Sequence, residues 1–140
     1  MTYYIVEPEV AGDFGDNTVF DRTVQPAEVT RLEYRFTNWL GDAILECTPC
    51  FIVTETLAKA VTVAGLSGAR FDDVEISLSP EGEELIEEPL PHWKWLRFTG
   101  APHREDFGLD KSTLVVSEQA LELLREHGLE YADVEEAVPL

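Results

Sequence analysis

The sequence predicts an α+β fold, with one or two mixed sheets carrying two main helices. Three observations predict it. A strand–helix–strand pattern occurs twice, as FIVTETLAKAVTVAGLSGARFDDVEI at 51–76 and LVVSEQALELLREHGLEYADVEEA at 114–137. Leu32, Tyr34 and Phe36 alternate with Arg31, Glu33 and Arg35, the period of a half-buried strand. The run 92–98 places Trp93, Trp95 and Arg97 on one face and Lys94, Leu96 and Phe98 on the other, so both faces are partly apolar, as in an interior strand.

Each repeat reads the same way. Ile52 and Val53, like Leu114 to Val116, form a short buried-strand run. Thr54 and Ser117 are placed to cap a helix, because a hydroxyl there accepts from free backbone N–H groups. Glu55 and Glu118 follow in the first turn, where the helix dipole favours a carboxylate. Leu57, Ala60, Val61 and Ala64 fall at i, i+3, i+4 and i+7 and predict a helix over 55–64. Ala120, Leu123, Leu124 and His127 predict its counterpart over 117–127. Leu57, Val61, Leu123 and Leu124 are expected to seat the two helices on a sheet. Gly65 and Gly128 suit the helix stops. Val74, Ile76 and Leu78 then alternate as a strand, and the second copy closes more weakly at Tyr131 and Val134, once a three-residue insertion at Gly68 to Arg70 is allowed for.

The remaining elements follow in order. Residues 2–6 open as a strand. Residues 8–17, with Pro8, Gly12 and Gly15, have loop chemistry, and Thr18 to Phe20 are a short strand. A strand over 29–36 breaks at Thr37 to Asp42, and a helical turn is expected over 43–46. Residues 79–91 read as a surface connector with one helical turn, and 100–110 as a loop. The 140 residues are expected to make one domain, 1–140, with an internal repeat.

Composition narrows the function classes. Ten basic residues against 28 acidic ones give a net charge of −18. Such a chain repels nucleic acid and anionic membrane surfaces, which are gripped by Lys and Arg, and attracts basic partners. Three Trp, four Tyr and seven Phe belong to a folded protein rather than an acidic tail. The opening MTYYIVEPEV lacks a basic stretch followed by an apolar one, and no apolar run approaches a bilayer's width, so a cytoplasmic location is expected.

Few residues are arranged for catalysis. Cys47-Thr-Pro-Cys50 has the spacing of a thiol redox pair, whose first Cys sits at a helix start with a lowered pKa. Here a strand follows it, so two reduced, partly buried thiols are the plainer reading and a thiol oxidoreductase the alternative. Cys47, Cys50, His92 and His103 could supply four zinc ligands, but the second Cys-x-x-Cys of a common zinc site is missing. Asp13, Asp16 and Asn17 do not follow the calcium-loop spacing. His103 to Asp106 gathers ionisable groups in one loop without a nucleophile motif. His127 lies at a helix C-terminus, where the dipole accounts for it. No phosphate-cradling or dinucleotide motif is present, and no cofactor or metal is expected.

Trp39-Leu-Gly-Asp42, Pro49, Phe51-Ile-Val-Thr-Glu55, Gly65-Leu-Ser-Gly68 with Phe71, and Leu114-Val-Val-Ser-Glu118 together resemble bacterial immunity-type proteins encoded beside polymorphic toxins. The resemblance covers roughly 30–136. It implies an α+β protein that binds and neutralises a cognate toxin, and it carries over no site residues. An acidic inhibitor is suited to a basic toxin because complementary charge speeds association. The expected surface is Glu81, Glu83, Glu84, Glu87 and Glu88 with Trp39 and Asp42; an accessory binding protein without a toxin is the further alternative.

Overall fold

The computed structural model describes residues 2–139. Among them the chain forms β1 (Tyr3–Glu7), β2 (Gly12–Phe14), β3 (Val19–Asp21), β4 (Glu28–Arg31), β5 (Glu33–Phe36), β6 (Ile44–Cys47), β7 (Cys50–Thr54), α1 (Glu55–Val63), β8 (Ala69–Asp72), β9 (Glu75–Leu78), α2 (Pro80–Leu85), β10 (Trp93–Phe98), β11 (Phe107–Asp110), β12 (Thr113–Ser117), α3 (Glu118–His127) and β13 (Asp133–Glu136). Two four-stranded antiparallel sheets run β11-β12-β1-β13 and β6-β7-β10-β8. A third sheet, β2-β5-β9, is mixed because β5 and β9 are parallel, and β3 pairs with β4 alone. The α+β class is therefore the observed one.

The two strand–helix stretches occupy matching places. β7 and β8 flank β10 in one sheet with α1 between them in sequence, and β12 and β13 flank β1 in the other with α3 between them. Sequence and topology part company after the helix. The aligned Asp-Val-Glu lies within β13 in the second stretch (133–135), whereas in the first it spans 73–75 and leads into β9 of another sheet. The strand that takes β13's place is β8, which begins inside the insertion.

Both helices start as their caps dictate. The Thr54 hydroxyl accepts from the Leu57 N–H at 3.2 Å and the Ser117 hydroxyl from the Ala120 N–H at 3.1 Å. Ser117 in turn donates to Asp106 Oδ1 at 2.6 Å, which ties the cap to the loop before β11. Thr54→Ala and Ser117→Ala are each expected to cost about 1 kcal/mol in a denaturant melt, with Ser117 the larger because it loses two bonds. Equal or negligible losses would count against that ranking.

One core gathers both helices and one face of each four-stranded sheet: Val6, Leu114 and Val116 from the first, Ile44, Phe51, Val53 and Leu96 from the second, with Leu57, Val61, Ala120, Leu121 and Leu124. α3 thus seats itself through Leu121 and Leu124, and Leu123, expected in that role, is only partly buried. A second core lies on the other face of β6, β7 and β10, where Leu45, Ile52, Trp93 and Trp95 meet Leu32, Tyr34 and Phe36. The middle of the chain is therefore packed on both sides of one sheet. That explains β6, expected as a helical turn: Ile44 enters one core and Leu45 the other, so the strand shows no alternation. Two segments expected as loops also contain strands, β2 within 8–17 and β11 within 100–110, and the polar face expected of β5 is closed at Glu33, which is buried.

Candidate functional site

The acidic connector is held to the fold by its own N-terminus. Ser79 caps α2, its hydroxyl accepting from the Gly82 N–H at 3.1 Å, and Pro80 occupies the first helical position, where no N–H is needed. The Ser79 N–H donates to the Phe36 carbonyl at 2.9 Å. Gly82 lies so close to that carbonyl that a Cβ would come within 2.3 Å of it, so α2 rests directly on the end of β5. Ile86 and Leu90 then pack against the second core.

This anchoring turns the carboxylates outward. Glu81, Glu83, Glu84, Glu87 and Glu88 are all exposed, and among the described residues none of them takes part in an ion pair. Leu85 sits among them 58% exposed, so the patch has an apolar element inside an acidic border. Composition alone gave the acids; the exposure of Leu85 depends on which side of a six-residue helix meets β5, and the sequence carries no signal for that.

Trp39 is brought to the same end of the molecule. Its ring stands edge-on to Trp93 at 5.7 Å, its Nε1–H donates to the Asp42 carbonyl at 2.9 Å, and it packs on the core that also receives Ile86 and Leu90. It is half-buried, and Leu40 beside it is 49% exposed. Asp42 has a different place. It is 1% exposed, and its two carboxylate oxygens accept from the Glu130 and Tyr131 N–H groups, both at 2.8 Å. It pins the connection between α3 and β13 to the connection between β5 and β6, and offers no surface to a partner.

Glu9 lies near this carboxylate. Burial, reinforced by Asp42, holds the Glu9 carboxyl above its ordinary value of 4.5 despite a bond from the Leu40 backbone, and its Oε1 is buried with no hydrogen-bond partner. A raised carboxyl pKa means that the charged form is disfavoured in the fold, so the penalty is present at neutral pH and fades as pH falls through the native pKa. Glu9→Gln is expected to raise the melting temperature at neutral pH and to lose that advantage in acid; a drop at neutral pH would contradict it.

The two thiols face one another as the last pair of the β6–β7 hairpin, joined through the cis Thr48-Pro49 bond. Both are buried. Burial pushes Cys47 up to about 11, with Asp13 adding to the rise, and Cys50 up to about 12. A thiol held that high carries little thiolate at neutral pH, the reverse of what a nucleophile needs. Alkylation by a maleimide is expected to be slow at neutral pH and to quicken steeply toward pH 11; rapid neutral labelling would restore the redox reading.

Two ionisable groups of the 103–106 loop are engaged in structure. Asp106 accepts from the Ser67 N–H at 2.8 Å, the Ser67 hydroxyl at 3.2 Å and the Ser117 hydroxyl, so it joins the ends of α1 and α3. The His103 ring packs against Tyr3 at a tilt of 53°, with centroids 5.4 Å apart. Among the described residues no three His, Cys, Asp or Glu side chains gather to hold a metal, so Cys47, Cys50, His92 and His103 do not form a ligand set. No helix among those residues is long and apolar enough to cross a membrane. Compared with known proteins, the chain matches no family model and no curated sequence.

Proposed function

We propose that this protein is an immunity-like inhibitor, which binds a basic toxin and neutralises it through the acidic surface of residues 81–88. The observation that carries the reading is the set of five exposed carboxylates around Leu85, none in an ion pair among the described residues, with Trp39 at the same end. An interface of this kind places an apolar anchor at its centre and charge at its rim. The resemblance noted above supports the toxin as partner, and the net charge of −18 supports its being basic. A nuclease is a fitting chemical class, because a protein that grips phosphates presents Lys and Arg to be masked. The thiol alternative loses support with both sulfurs protonated and buried.

Growth of cells expressing the protein encoded beside this one in its native genome tests the reading. The account expects that protein to arrest growth when expressed alone and co-expression of this chain to restore it. A harmless neighbour, or arrest that this chain does not relieve, would count against an immunity role.

A further inference from the structure

The edges of the sheets differ in how they are closed. In the β11-β12-β1-β13 sheet, the outward Phe107 N–H of β11 donates to the Ser67 carbonyl at 3.1 Å, so that edge is covered at one of its outward positions. In the second sheet, the Glu46 N–H of edge strand β6 donates to the Glu9 carbonyl at 2.9 Å. Among the described residues β13 has no such cover, and neither do the outward Ala69 and Phe71 N–H groups of β8, the other edge of the second sheet; β13 differs from β8 in the acids that surround it. The Ala137 N–H donates to the Tyr3 carbonyl at 2.8 Å, which fixes the phase of the β1–β13 ladder. Alternation then points the backbone groups of Glu135 and Asp133 toward β1 and those of Val134 and Glu136 outward. Among the described residues, neither outward N–H has a backbone partner.

The side chains around this edge are of one sign. Asp133 and Glu135 share a face with Glu7 and Ile5, and with Val134 these residues line a shallow cavity of about 320 Å³. Glu136 carries a further exposed carboxylate, and none of these four acids makes an ion pair among the described residues. On the opposite face Val134 packs against the main core. A second copy of this edge would bring carboxylates opposite carboxylates, which is destabilising. A strand with basic residues on one face meets Glu7, Asp133 and Glu135 with it, and its other face, apolar except for a basic residue at the end beside Glu136, meets Val134.

We propose that the outward edge of β13 docks an extended basic segment of a partner protein by strand addition, with backbone bonds from Val134 and Glu136 and charge recognition by Glu7, Asp133 and Glu135. This edge belongs to a different sheet from the one that supports α2, and its test needs no toxin. A capped peptide of alternating Lys and Val is titrated into the full-length chain and followed by amide resonances and hydrogen exchange. The expected result is slowed exchange at Val134 and Glu136 together with shifts along 133–136. N-methylation of the peptide along its bonding edge, which keeps every charge, is expected to weaken binding at least about tenfold, and replacing its Lys by Glu is expected to abolish it. Failure to bind, equal binding after N-methylation, or shifts confined to 81–88 would each overturn the proposal, the last while leaving the acidic helix surface intact.

Discussion

Reversing Glu83, Glu84, Glu87 and Glu88 to Lys is expected to weaken binding of a basic partner by about a hundredfold at moderate salt. That follows from roughly 0.7 kcal/mol for each attraction turned into repulsion. All four side chains are exposed and free of internal ion pairs among the described residues, so the fold loses no ion pair. Glu81 is left in place because it accepts from the Ser79 hydroxyl at 3.3 Å; Glu83 shares the first turn of α2, so its reversal costs about 0.5 kcal/mol at the helix N-terminus. The melting temperature should therefore stay near the wild-type value while affinity falls. The loss should shrink as salt rises, since screening at about 0.1 M already acts over about 10 Å. Titration calorimetry at two salt concentrations reads both quantities, and unchanged affinity would remove this surface from the account.

Glu33→Ala is expected to cost about 3 kcal/mol and to lower the melting temperature by about 10 °C. Glu33 is 3% exposed and holds together three segments that are distant in sequence. Its Oε2 accepts from the Ser77 hydroxyl at 2.5 Å and its Oε1 from the Asn17 N–H at 2.8 Å, while Arg35 stands 3.6 Å away. Gly15 packs against the carboxyl with no room for a Cβ. The Ser77 bond, then the Asn17 bond, with Arg35 adding, hold the carboxyl below its ordinary 4.5 against the effect of burial. For a carboxyl lowered in the fold, the stabilisation is complete above the unfolded value and is lost as pH falls through the native one. The gap between wild type and variant should thus be full at neutral pH and close in acid. A gap that persists undiminished in strong acid would show that packing, not the charge, accounts for the loss.

These two carboxylate groups show what a sequence can and cannot reveal. The run at 81–88 is legible because solvated acids need no partner, and their density alone marks a surface. Glu33 is not, because its partners are a loop amide 16 residues before it and a hydroxyl 44 residues after it. Asp42 is the same case carried further: it sits in a turn rich in polar residues, and only the amides at 130 and 131 explain its burial. The strands β7 and β12 with their helices are legible because capping and helical periodicity are local. β6 misleads for a physical reason, since a strand buried on both faces has no pattern to distinguish it from a buried helical turn. β2, β8 and β11 are three or four residues long; β2 and β8 exist through pairing with distant strands, β5 and β10, and β11 pairs with its neighbour β12 across a turn that composition marks only as loop.

The most direct test of the acidic-surface account is capture from native-host lysate at moderate salt, run side by side with the wild-type chain and the Glu83, Glu84, Glu87 and Glu88 reversal variant. The account predicts one stoichiometric basic protein, toxic when expressed alone, retained by the wild type and lost by the variant. A partner held equally by both chains, or a stoichiometric partner that is itself acidic, would contradict it.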